Sequence, residues 1–272
     1  MQISRPTRSV VAAFGTLTAA ALLAACSSSS GGGSGNASTA STPGAGSGAS
    51  TSAAATTSTS TGPTASTSTI AGTGSARDKA ALAKLLLVPS DLPSGWTASP
   101  AQTSADDGAA QSRFATCVGI RDTHADKVAE ADSQEFTNQT ASISSSASSY
   151  SSAADVTADE AAFRDAAKAT SCMTTMLRSQ MSGQLPNGAT LDDINLAVHP
   201  GRNGGPANVI ATISGTIKVT ASGKQLDVYL DSTYIAGKQL EAEVDFESFG
   251  APVDAALQSK LVKAVAQRVA GA

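Results

Sequence analysis

The last third of the chain alternates apolar and polar residues with a period of two. Val209, Ala211, Ile213, Gly215, Ile217 and Val219 fall on one side of a first extended run. Leu226, Val228 and Leu230 do so in a second, and Leu240, Ala242, Val244 and Phe246 in a third. This is the pattern of half-buried strands. Gly223-Lys224-Gln225-Leu226 recurs as Gly237-Lys238-Gln239-Leu240, so two similar hairpin turns should join the runs into a β-meander. The other side of the third run is Glu241, Glu243, Asp245 and Glu247. Such a row reads as the solvated face of an outer strand, with a grip on a cation or basic partner as its other reading. Weaker strand signals lie near residues 133–138, 141–150 and 194–198.

A period of 3.6 takes over elsewhere. Leu82, Leu85 and Leu86 predict a helix over 80–88, before Pro89, Pro93 and Gly95 force turns ahead of Trp96. Thr157-Ala158-Asp159-Glu160 reads as a capping box opening a long helix. Phe163, Ala166, Ala167, Thr170, Met173, Leu177 and Met181 then share one face, and Gly183 and Pro186 end it. Asp254 caps a last helix striped by Leu257, Leu261, Val265 and Val269. One apolar sheet face and striped helices predict an α+β fold, an antiparallel β-sheet with helices packed on one face.

The start of the chain follows different rules. Between Ser27 and Ala76 there is no charged residue, and Ile70 is the one large apolar side chain. Such a segment cannot bury enough surface to offset its ordering entropy, so a coil is expected. With Gly/Ser-like flexibility it would span roughly 40 Å. Its Ser and Thr with Pro43 and Pro63 also resemble O-glycosylated stalks. Upstream, Arg5 and Arg8 precede a charge-free apolar run from Val10 to Ala25, short for a membrane span. It ends in Leu23-Ala24-Ala25-Cys26, which resembles a bacterial lipobox rather than a plain signal cleavage site. That resemblance implies a diacylglycerol on the Cys26 sulfur and a membrane link through it. The expected organisation is a signal peptide over 1–25, a disordered tether over 26–77 and one globular domain over 78–272.

Charge narrows the partners. The formal net charge is -4, and loss of Arg5 and Arg8 with the signal makes it -6. Without a basic cluster, nucleic-acid binding is not expected. Aromatics make up 4% of the chain, so the core must rest on Leu, Val, Ile and Ala. Cys117 and Cys172 are the domain's two cysteines, and in an exported domain they point to a disulfide. Cys172 lies opposite the Phe163 stripe with Ala161, Ala169 and Met176, so the Cys117 segment should cross the outer side of that helix. His124, among Asp122, Asp126 and Lys127, and His199, before Pro200-Gly201, read as solvated loop histidines. No Gly-x-Ser-x-Gly or His-Glu-x-x-His pattern accompanies them, so neither a metal, a cofactor nor a catalytic role is expected. Trp96 reads as a core anchor or as one wall of a ligand site.

Three features together carry a family resemblance: Asp91-Leu92-Pro93-Ser94-Gly95-Trp96, the Cys117/Cys172 pair, and a Gly-rich lead into a meander with a closing helix. Over roughly residues 80–272 they resemble actinobacterial envelope lipoproteins, including those similar to the extracellular sensor domain of PknH-type receptor kinases. PsbP-like lipoproteins are the structural competitor. The resemblance implies an antiparallel sheet flanked by helices, with a cleft suited to a ligand. The chain departs from it in having one cysteine pair rather than two, and no kinase. The expected function is a non-enzymatic, lipid-anchored binding or sensor-like module at the outer face of the cell membrane, taking an apolar or amphipathic envelope molecule. The alternatives are a scaffold that docks another envelope protein, and an enzyme with an unrecognised site.

Overall fold

The computed structural model describes residues 76–101, 107–186, 188–201, 206 and 208–272. The expected signal, Cys26 and nearly all of the tether lie outside them. In chain order the elements are α1 (Ala76–Leu82), β1 (Thr97–Ser99), α2 (Asp107–Val118), β2 (Lys127–Asp132), β3 (Glu135–Thr137) and β4 (Ala141–Tyr150). There follow α3 (Ala153–Ala161), α4 (Ala166–Ser182), β5 (Ala189–Pro200), β6 (Val209–Ala221), β7 (Lys224–Ala236), β8 (Leu240–Phe249) and α5 (Ala255–Ala270). The eight strands form one sheet in the order β1-β3-β4-β8-β7-β6-β5, with β2 also paired to β4, and the recorded pairs are antiparallel. The α+β class and the meander β6-β7-β8 are as the alternation predicts.

The helices do not share one face of the sheet. Residues directly opposite each other on paired strands point to the same side. Ile217 faces Val228, and Ile194 faces Ile217, so these three lie on a first face. There they are buried with Met173, Leu177 and Met181 of α4 and with Phe114 and Val118 of α2. Ile235 and its partner Ala242 lie on the second face. They are buried with Phe136 and Ile143, with Leu261, Val265 and Val269 of α5, and with Leu82, Leu85 and Leu86. A register shift between Val209 and Ala211 helps the division: Val209 pairs with Ile235, but Ala211 pairs with Tyr234. The bulge turns Val209 onto the second face, where unbroken alternation would have kept it with Ala211.

Two helices end where the sequence reading continued them. α1 stops at Leu82, and the leucines beyond it are buried from turns and a 3-10 segment at Pro89–Asp91. Those turns are pinned from the side. The Leu87 N–H donates to Ser145 Oγ (2.9 Å), and Arg268 donates to Leu86 O (2.6 Å) and to both Asp91 oxygens (2.7 and 3.0 Å). The long helix is broken in two at Ala162–Asp165. Its first cap is Ser152 with Asp155, and the Thr157 hydroxyl donates instead to Ala153 O inside α3. Asp165 caps α4 by accepting from the Lys168 N–H (3.0 Å). Gly215 leaves no hollow in the first-face core. A Cβ there would sit 2.2 Å from Leu196 Cδ2, so the leucine fills the space.

Cys117 on α2 is bonded to Cys172 on α4, across a sequence separation of 55. α2 is a helix the sequence reading did not contain, and the bridge fastens it to α4. In the chain-entropy view, closing a loop of this size restricts the unfolded state by roughly 4 kcal/mol. Thiol labelling of the folded, unreduced protein should therefore leave both cysteines unmodified. Reduction should lower the denaturation midpoint by up to about that 4 kcal/mol. Labelling of both residues without reductant would contradict the bridge.

Candidate functional site

On the first face, past the apolar part of β7, the sheet turns polar. Glu241, Glu243, Asp245 and Glu247 of β8 stand opposite Ser148, Ser146, Ser144 and Ser142 of β4. The expectation of a solvated row does not hold. Glu243 is 5% exposed and Asp245 7%, and Ser144, Ser146 and Ser148 are buried with them. A buried carboxylate needs donors, and cross-strand hydroxyls supply some of them. Ser232 Oγ donates to Asp245 Oδ1 (2.6 Å), and the phenol of Tyr150 donates to Glu241 Oε2 (2.8 Å).

α3 closes over one end of this row. Its N-terminus is held by ions: Asp155 accepts from the Ser152 N–H and from Arg121, which also grips Asp126. The Arg121 guanidinium holds the Asp155 carboxyl down to about 2. One turn on, Asp159 is buried and accepts from the Thr123 hydroxyl through Oδ1. Its second oxygen, Oδ2, and Glu241 Oε1 are both buried and neither receives a donor from the described residues. These two carboxyls interact with each other. Burial, then the nearby Asp159 charge, pushes Glu241 up to about 8, and burial raises Asp159 as well. Burial, followed by the Glu241 charge, drives the Tyr150 phenol far above its ordinary range, so it stays a donor.

Small cavities flank the pair. One, of about 20 Å³, is lined by Asp159 and Glu241 together with apolar groups such as Phe114, Phe163 and Ile210. The other, of about 30 Å³, lies among Glu241, Tyr150, Lys127, Glu130 and Glu243. Each has room for about one water. An open cleft of about 390 Å³ adjoins the first of them through Phe163 and Ile210. Phe163 and Arg164, from the break between α3 and α4, form one side of it, and Val209, Ile210 and Ala236 form the sheet side. The break therefore sets the cleft: in a continuous helix, Phe163 and Arg164 would be part of the rod rather than of a corner.

Of the residues singled out from sequence, Glu241 belongs to this site, and Trp96, His199 and His124 lie elsewhere. Trp96 is partly buried against the second-face core, on the other side of the sheet. His199 is exposed at the end of β5, with Ser214 Oγ 3.4 Å from its Nε2. His124 lies in a 3-10 turn (His124–Asp126) against Gly108. Among the described residues no group of three or more His, Cys, Asp or Glu side chains is placed to hold a metal ion. The sequence reading missed Asp159 and Tyr150 as site residues, and also Gln111, a buried α2 side chain that lines both small cavities. Ser152-Ala153-Ala154-Asp155 is itself a capping-box pattern. Placing α3 there would have turned Asp159 toward the sheet, one turn beyond Asp155.

Tyr150→Phe removes the donor to Glu241 Oε2 and leaves that acceptor bare. The expected cost is about 1–3 kcal/mol in a denaturant melt, with the fold retained. A loss within error of zero would mean that water replaces the phenol. No protein-family model, curated protein or solved structure matches the chain.

Proposed function

We propose that this protein is a lipid-anchored, extracytoplasmic binding or sensor-like module of a bacterial cell envelope, held to the membrane by a lipid on Cys26. The cleft at the α3–α4 corner is the observation that carries the binding half of this reading. Its volume of about 390 Å³ falls in the range of small-molecule sites. Its walls combine Phe163, Ile210 and Ala236 with Glu160, Arg164 and Asn208. A lining that is part apolar and part polar suits an amphipathic envelope molecule. The lipobox and the charge-free stretch after it support the anchoring half. Among the described residues no helix is long and apolar enough to cross a membrane. The resemblance of residues 80–272 to actinobacterial envelope lipoproteins is part of the same proposal. A docking scaffold would call for a broad apolar patch. Val88 and Val128, the exposed large apolar side chains among the described residues, are too little for one.

Cys26→Ser replaces the thiol with a hydroxyl that cannot take the lipid, so the variant should leave the membrane fraction on detergent phase separation. Partition like the wild type would place the anchor elsewhere.

Titration of the full chain with extracted envelope lipids should raise its melting temperature. Ile210→Asp, in the cleft wall, should abolish the rise. Trp96 lies outside the cleft, so its fluorescence should move little. If no lipid fraction shifts the melting temperature, the docking reading gains.

A further inference from the structure

α3 is nine residues long, too short to be helical on its own. Few contacts dock it. Val156 meets Tyr150 and Ala236 in a small cluster apart from the two main cores. Asp155 ties its start to Arg121. The remaining polar attachment to the sheet is at Asp159, on the face turned to Glu241. There the accounting of donors is incomplete. Thr123 serves Asp159 Oδ1 and Tyr150 serves Glu241 Oε2, while Asp159 Oδ2 and Glu241 Oε1 stay buried without a donor. Two charged oxygens in that position would repel and be desolvated. One proton between them satisfies both.

We propose that Asp159 and Glu241 hold a single shared proton that docks α3 onto the sheet, and that loss of this proton releases α3 and joins the two small cavities beside the pair to the open cleft. The break at Ala162–Asp165 lets α3 move without α4, which is fixed by the first-face core and by the disulfide. Both small cavities border Glu241, so release of α3 would join them to each other and to the open cleft through Phe163 and Ile210.

The surrounding charges set the direction. On β2, Lys127 favours the ionised pair, while Glu160 on α3 itself opposes ionisation of Glu241. Glu130 and Glu243 also line the 30 Å³ cavity, where the Tyr150 and Tyr234 phenols stay neutral. The net result keeps Glu241 protonated up to about 8, against an ordinary value of 4.5. A carboxyl raised in the docked state stabilises docking fully below its free value and loses that contribution as pH rises through the docked one. Docking should therefore weaken from about pH 4.5 and level off above about pH 8.

Hydrogen exchange of the full chain between pH 5 and 9, corrected for intrinsic rates, tests this directly. Protection of residues 153–161 should fall by roughly tenfold per pH unit up to about pH 8, while β7 stays protected. Glu241→Gln, whose amide donates permanently to Asp159, should hold α3 protected at all these pH values, and Asp159→Asn should do the same. If neither variant folds, infrared spectra of the wild-type chain decide instead. They should show a protonated-carboxyl band at neutral pH that vanishes as pH rises past about 8. Protection of α3 that does not change with pH, a Glu241→Gln variant that still loses it, or the absence of that band would overturn the proposal.

Discussion

β7 carries apolar side chains to both sides of the sheet, and the rest of the architecture depends on how it does so. Val228 and Leu230 enter the first-face core and Ile235 enters the second, within one strand of 13 residues. A sheet with one apolar face could bury only one set of helices. Here the strands from β5 to β7 are covered by α4 on one side, and those from β8 to β4 by α5 on the other. The bulge after Val209 is part of the same solution, since it sends one more apolar side chain across. The two half-cores are thus bound through shared strands, and neither would be closed without the other.

That division explains why a polar row is buried. Where the apolar cover moves to the second face, the first face must be filled by something else. Serines of β4, hydroxyls from β7 and the carboxylates of β8 fill it. Such an arrangement costs stability unless donors and acceptors balance. Among the described residues the balance fails at Ser144 Oγ and Asp245 Oδ2 within the row, and at Asp159 Oδ2 and Glu241 Oε1 where α3 meets it.

Alternation made the meander legible because it fixes which residues share a side. It does not say what lies over that side, so Glu241 to Glu247 read as wet. The same limit put all helices on one face: periodicity identifies a stripe on α5, not the sheet surface it meets. α2 escaped notice because its apolar residues are few, with Phe114 and Val118 one turn apart and small residues between. The cap was misplaced for a different reason. Ser152/Asp155 and Thr157/Glu160 match one pattern equally well, and tertiary contacts from Arg121 select the first. Asp165, which opens α4, was hidden by an apolar stripe that runs across the break. The candidate cleft was therefore illegible, since it exists because of that break.

The clamp between Asp91 and Arg268 bears on mechanics. It joins the segment after α1 to the last turn of α5, and Lys260 reinforces it by donating to Asp91 O (2.7 Å). A pull on the chain from its N-terminal side would reach α1 and the leucine turns first. From there the strain would pass sideways into α5. An ion pair between two peripheral segments thereby sets the order in which parts of the domain would yield under tension.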